Sequence, residues 1–223
     1  ALMDHSAGFE DRALGQLFEN DPRRVRPLDL YLRQERPDRV RASGVLSSYS
    51  NFGAALAGEA VSFVSGKTFE RRVEDEIALP LGMTHTTFRE ARGERRGLPA
   101  PMPQALRGDI ARGYGWRTAG FMPNAYEYIG QIAPAGSASS TAGDMSRYML
   151  MLLGDGSWNG VTVFGPQAAK AFRTPLRREP TGVNGWAHGF MTFDLPGGHR
   201  GYGHLGDTIA FHSSLVVVPD LGL

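Results

Sequence analysis

The apolar residues of this chain change their spacing near the start of its last third, and that change constrains the fold more than any other feature. Phe52, Leu56, Ala60, Val61, Phe63 and Val64 recur three and four residues apart, the spacing of one apolar helical stripe, and Gly66 supplies a left-handed cap. Thr68 opens a second helix as its N-cap, with Phe69, Val73 and Ile77 on one face and Leu79-Pro80-Leu81-Gly82 as its end. A third helix starts at Thr141, with Asp144 answering at the third helical position, and stacks Met145, Tyr148, Met149 and Leu152. After these the period becomes that of strands. Trp186 to Leu195 reads as one strand, Pro196-Gly197-Gly198 as a turn, and Ile209 to Val218 as a second strand. Val216, Val217 and Val218 are apolar on consecutive positions, which suits a strand covered on both faces.

Helices first and antiparallel strands last imply an α+β arrangement holding only part of its sheet. The reading divides the chain into a mostly helical part, residues 1–135, and a part of a sheet domain, residues 136–223. Residues 21–43 read as a surface connection in which Leu28, Leu30, Tyr31 and Leu32 form one or two helical turns. Residues 89–110, rich in Arg, Gly and Pro, read as an exposed loop. Both ends look cut: Ala1 leads straight into a polar turn, and the chain stops after a β-branched run whose edge would invite pairing.

Composition removes several classes of function. A net charge of +1 gives no field to draw nucleic acid or an anionic membrane. No apolar run approaches the ~18 residues of a membrane-spanning helix. Cysteine is absent, which excludes disulfides and thiolate chemistry and leaves an extracytoplasmic and a cytoplasmic location equally open. Of 24 basic residues only Lys67 and Lys170 are lysines.

Most familiar motifs fail on context. Gly201-Tyr202-Gly203-His204-Leu205-Gly206 matches G-x-G-x-x-G, but a β run follows where the dinucleotide fingerprint needs a helix, so no cofactor is expected. His199 and His204 lack the neighbours that zinc requires, so no metal is expected. There is no G-x-S-x-G elbow, Walker loop or H-E-x-x-H.

The stretch Tyr49-Ser50-Asn51, a helix, Ser65-Gly66-Lys67-Thr68, then Leu79-Pro80-Leu81-Gly82-Met83-Thr84-His85 is different in kind. It resembles the serine β-lactamase and penicillin-binding-protein-like superfamily, in its class C β-lactamase, D-aminopeptidase and family VIII esterase branch. Five further stretches agree in order: His5-Ser6-Ala7-Gly8; Ala111-Arg112-Gly113-Tyr114; Pro134-Ala135-Gly136 with Ser140-Thr141-Ala142-Gly143-Asp144; Gly185 to Phe190; and Gly203-His204-Leu205-Gly206-Asp207-Thr208 with Phe211-His212-Ser213. The resemblance implies a β-lactamase/transpeptidase-like fold, an antiparallel sheet flanked by helices beside a helical subdomain, and a serine that forms an acyl-enzyme.

On that resemblance Tyr49 is the proton shuttle. Its phenol, ordinarily near ~10, would need a neighbouring cation to lower it. Asn51 would orient a lysine and the substrate's acyl side chain, although it also reads as the cap of the helix that begins at Phe52. His204 would hydrogen-bond or electrostatically support Tyr49, and the backbone N–H of Asp207 would supply half an oxyanion hole. Leu205, Gly206, Gly136 and Tyr114 would face the substrate, Gly206 by leaving room along the strand. Trp186, Tyr114 and Phe121 read as core packing, with an acyl pocket as the alternative.

The Ser-x-x-Lys of the family is missing from these residues, because Lys67 follows Val64 and Lys170 follows Gln167. The chain therefore reads as an internal portion of a serine hydrolase, inert alone in covalent catalysis. A neutral His204 in place of a lysine, Leu205 in place of a small hydroxyl residue, and the charge of Asp207 favour an ester, amide or peptide-like small-molecule substrate over a carboxylate-bearing β-lactam. The alternative is a non-catalytic binding or scaffold protein on the same fold.

Overall fold

In the computed structural model, residues 1–11, 17–177, 180 and 182–223 are described. The helical elements come first, as the spacing predicts: α1 (Leu28–Gln34), α2 (Asn51–Ser65), α3 (Phe69–Val73), which continues into a π-helical turn at Glu74–Ala78, and α4 (Gln104–Arg107). A hairpin follows, β1 (Tyr114–Arg117) with β2 (Gly120–Pro123), then α5 (Ala133–Gly136) and α6 (Ala142–Leu153). A short hairpin, β3 (Ser157–Trp158) with β4 (Val161–Thr162), leads to α7 (Pro166–Arg173). The chain then runs through β5 (Gly185–Ala187), β6 (Phe190–Asp194), β7 (Arg200–Asp207) and β8 (His212–Val217), an antiparallel meander in that spatial order. The α+β expectation holds: α6 packs on β8, and α7 lies against β5, β6 and β7.

Two apolar clusters hold these parts. One joins Phe9, Tyr31, Leu32, Phe52, Ala55 and Ile132, where α2 meets α1 and the residues just before α5. The second joins Met151, Leu152, Tyr202 and Val217 and draws in Ala78, Leu81 and Met83 from the turn after α3. Between α2 and α5 the backbones come so close that a Cβ on Gly58 would stand 2.3 Å from Cγ of Pro134.

Several local expectations are met. Gly66 closes α2 in the left-handed region, Thr68 accepts from the Arg71 N–H, and the Thr141 hydroxyl accepts from the Asp144 N–H at 3.2 Å. The capping box stays half made, however. The Asp144 carboxylate turns outward to the His85 N–H at 2.8 Å and the Thr86 hydroxyl at 2.9 Å, pinning the loop before it.

Others are corrected. Trp186 to Leu195 is two strands, because His188 and Gly189 both take positive φ (52° and 94°) and reverse the chain in two residues. β8 begins at His212, since Thr208 forms a turn with Phe211: its N–H donates to the Phe211 carbonyl and its hydroxyl accepts the Phe211 N–H. Residues 89–110 are not simply an exposed loop: Glu90, Arg92 and Met102 are buried. Arg92 is satisfied by the carbonyls of Gly93 and Pro99, so its charge enters the interior with hydrogen bonds already made. Phe63 and Val64 are each 86% exposed, because the neighbours of α2 bury Phe52, Gly53, Ala55 and Gly58 and leave its last turns uncovered. Tyr114 and Phe121 are exposed on the β1–β2 hairpin rather than in the core, while Trp186 is buried.

Candidate active site

The site begins with a left-handed histidine. Asp4 accepts both the N–H (3.1 Å) and the hydroxyl (2.7 Å) of Ser6, a tight local turn that leaves His5 at φ 54° with its ring turned inward. His5 Nδ1 accepts the Ser50 N–H at 3.1 Å, which fixes the extended residue just before α2. Burial, with the facing His204, pushes the His5 imidazole down to about 4, so it is neutral across the physiological range.

Ser50, not Asn51, caps α2: its hydroxyl accepts the Gly53 N–H at 3.1 Å. Asn51 is therefore the first helical residue and its side chain is free for other work. Asp11 takes both its backbone N–H and its Nδ2, each at 2.9 Å. With Nδ2 committed to a carboxylate, Asn51 Oδ1 is left to accept, and the Tyr49 hydroxyl donates to it at 3.3 Å. The Tyr49 ring lies 4.6 Å from His5, 5.8 Å from Trp186 and 6.0 Å from His204, centre to centre. Three distant stretches of sequence thus meet at one phenol.

His204 reaches this cluster from β7, where it pairs with Leu215 of β8. It stands 5.6 Å from Trp186, and its Nδ1 faces the Leu205 carbonyl. The phenol's hydrogen bond goes to Asn51 rather than to this imidazole. The lowered phenol that the shuttle role calls for is not what these residues produce: burial and the charge of Asp11 push Tyr49 above its ordinary value. Beyond His204, Leu205 is exposed, and Gly206 faces Ser213 so closely that a Cβ there would stand 2.3 Å from its Oγ. The close approach at Gly206 thus comes from β8. The Asp207 carboxylate, at the strand end, meets Nδ1 of His212 of β8.

A cavity of about 1490 Å³ opens beside this strand. Gly136, His204, Leu205 and Gly206 belong to its wall, with Met145 of α6 and Phe211. His204 is thus shared between the cavity and the aromatic cluster around Tyr49. Tyr114 is exposed on β1, and its neighbour Gly113 is the wall residue. Among the described residues no group of three or more His, Asp or Glu side chains could hold a metal ion. No helix of the described residues is long and apolar enough to cross a membrane.

Reading the residues alone missed three members of this neighbourhood. His5 lay within a quoted stretch, but nothing in the sequence aimed its ring at Ser50. Asp11 carries no local signal at all. His212 became visible as the partner of Asp207 only once the β7–β8 register, Asp207 opposite His212, was known.

The chain is similar to proteins of known class. It is 27% identical over 233 residues to a putative D-alanyl-D-alanine carboxypeptidase of Escherichia coli, covering 93% of this chain and 51% of that protein. Its fold matches the octameric penicillin-binding protein homologue of Pyrococcus abyssi at a TM-score of 0.76 and 21% identity, over 98% of this chain and 48% of that one. It matches a D-stereospecific amidohydrolase of a Streptomyces species at 0.71 and 22% identity, over 99% of this chain and 64% of that one. The chain spans about half the length of the relatives it matches. The profile of the beta-lactamase family covers residues 1–223, so the chain belongs to that family.

Proposed function

We propose that this chain is the portion of a serine hydrolase that carries the proton-transfer and oxyanion elements of an acyl-enzyme site. Its substrates are small esters, amides or peptide-like molecules. The observation that carries the reading is the meeting of Tyr49, Asn51 and His204: the phenol bonded to Asn51 at 3.3 Å, with the His204 ring 6.0 Å from its own. These side chains come from a helix start and a strand separated by some 150 residues of chain, and a packing role alone would not require the Asp11–Asn51–Tyr49 chain of donors and acceptors. In this reading Tyr49 passes the nucleophile's proton to the leaving group, and the Asp207 N–H helps hold the oxyanion. The raised Tyr49 phenol is the state without the Ser-x-x-Lys lysine. A cation placed beside Asn51 in the whole protein would lower the phenol toward working pH.

Similarity to a putative D-alanyl-D-alanine carboxypeptidase and to a D-stereospecific amidohydrolase supports D-configured amides or peptides. A histidine rather than a lysine at the third motif supports the same choice over β-lactams. The test is kinetic. In the full-length protein, Tyr49→Phe removes the transferable proton while keeping the ring contacts, and kcat on a D-amino-acid amide or a p-nitrophenyl ester should fall 100-fold or more. A loss under threefold would place Tyr49 among packing residues. One observation favours a second reading, a non-catalytic binding protein: no serine stands three residues before either lysine in these residues. A full-length protein without such a serine would adopt that reading.

A further inference from the structure

His5 grips Tyr49 at three points. Its carbonyl accepts the Ser48 N–H at 2.8 Å and its Nδ1 accepts the Ser50 N–H at 3.1 Å, so one residue holds the chain on both sides of Tyr49. Between those two bonds the imidazole lies against the phenol ring, 4.6 Å centre to centre and tilted by 39°. The indole of Trp186, from β5, backs the imidazole edge-on at 4.2 Å. Accepting at Nδ1 puts the ring proton on Nε2, so the contact needs the neutral imidazole.

The turn that presents His5 is itself tied down on both sides. The Leu2 carbonyl accepts the His5 N–H at 3.3 Å, the Ala1 carbonyl accepts the Ser6 N–H at 2.8 Å, and the Gly189 N–H of the β5–β6 turn donates to the Met3 carbonyl at 2.7 Å. Further along, the carbonyls of Ser6 and Gly8 accept the N–H groups of Gly44 and Val40, which lie in the segment leading to Tyr49. A glycine would take the backbone conformation of His5, φ 54°, without strain. What histidine adds there is an acceptor and a ring, and both are directed at Tyr49 and its neighbour.

We infer that His5 is the positioning residue of Tyr49: it sets where the phenol oxygen stands, while Asn51 sets which way the hydroxyl points. The inference rests on the hydrolase reading for its effect on rate, and it adds a residue from outside the Tyr-x-Asn and His-x-Gly stretches. A proton shuttle must keep its oxygen within hydrogen-bond reach of both nucleophile and leaving group, and a misplacement of about 1 Å lowers a rate by as much as about 100-fold. The bonds at Ser48 and Ser50 fix the backbone of Tyr49, and the imidazole face limits the swing of its ring.

The test separates acceptor from ring in the full-length protein. His5→Asn keeps an oxygen at the place of Nδ1 and tolerates a left-handed φ, but has no ring; His5→Leu has the outline of asparagine and no acceptor. On a p-nitrophenyl ester, kcat should fall about tenfold in His5→Asn and about 100-fold in His5→Leu, with KM within about threefold of the parent. Tyrosine labelled with carbon-13 at Cζ reports the phenol directly, the Tyr49 line being the one lost in Tyr49→Phe. That line should move toward the position of free tyrosine in the order parent, His5→Asn, His5→Leu. Should His5→Leu not fold, His5→Asn decides alone. An unmoved Tyr49 line in His5→Asn overturns the inference. So does unchanged kcat in a protein whose turnover needs the Tyr49 hydroxyl, and so does a rise in KM that matches the fall in kcat, the mark of a merely structural histidine. A line that moves in a protein left fully active by Tyr49→Phe would sink the hydrolase role of the phenol and leave its positioning by His5 standing.

Discussion

Replacing Glu90 by glutamine should change how the stability of this fold varies with pH, and the direction follows from two buried groups. Glu90 is only 4% exposed, and one of its oxygens accepts two backbone N–H groups while the other has no partner among the described residues. Burial pushes its carboxyl up to about 7, against the pull of those amides and of Arg92. The folded state therefore holds a proton that the unfolded chain has already released. Its stabilising effect is complete below about 4.5 and is lost as pH rises to about 7. His5 works the other way. Its imidazole, 6% exposed and pushed down to about 4, stays neutral in the fold while the unfolded chain takes up a proton below about 6.5. That contribution grows as pH rises through the same window.

Each fully developed slope is about 1.4 kcal/mol per pH unit, so between pH ~4.5 and ~6.5 the two largely cancel in the parent. Glu90→Gln keeps an amide oxygen for Ile129 and Gly130 and removes the titration. The difference in unfolding free energy, variant minus parent, should then rise by on the order of 2–3 kcal/mol across that window. Urea unfolding followed by tryptophan fluorescence at pH 4.5, 5.5, 6.5 and 7.5 measures it. Parallel curves for the two proteins, or a difference that falls with pH, would mean that Glu90 is not held protonated by burial.

Two further substitutions probe the scaffold and the site. Gly58→Ala would place its Cβ 2.3 Å from Pro134 Cγ and should cost about 1–3 kcal/mol by forcing α2 and α5 apart, seen as a lowered melting temperature. Asp11→Ala removes both bonds that hold Asn51 and, on the proposed function, should lower kcat of the full-length protein about tenfold, while melting within a few degrees of the parent, because the residue is only part-buried.

The parts of the fold that were legible rest on local chemistry. The Gly66 cap, the Thr68 and Thr141 hydroxyls and the stripe from Met145 to Leu152 each act within a few residues, so spacing reveals them. The reversal at His188-Gly189 was hidden because Trp186-Ala187 and Phe190-Met191 read through it as one β run, and histidine is a weak signal for a left-handed turn position. The burial of Glu90 and Arg92 was hidden for a different reason. An Arg-, Gly- and Pro-rich stretch looks like surface until the backbone groups that satisfy those charges are located, and these come from residues as distant as Ile129. Exposure at Phe63, Val64 and Phe121 inverted the usual rule, since apolar spacing says nothing about which neighbours arrive to cover it. At the site, Tyr49, Asn51 and His204 were legible as motif residues. The acceptor that orders them, Asp11, and the imidazole that buttresses them, His5, were set by tertiary contacts alone.

In the proposed function Tyr49 and its partners serve a serine nucleophile. The most direct measurement is the intact mass of the full-length protein after treatment with a fluorophosphonate ester, followed over time for the parent and for Tyr49→Phe. A single adduct on the serine of a Ser-x-x-Lys motif is expected, forming at least 100-fold more slowly in the variant. An unmodified protein would contradict it, as would an adduct that forms equally fast without the Tyr49 hydroxyl.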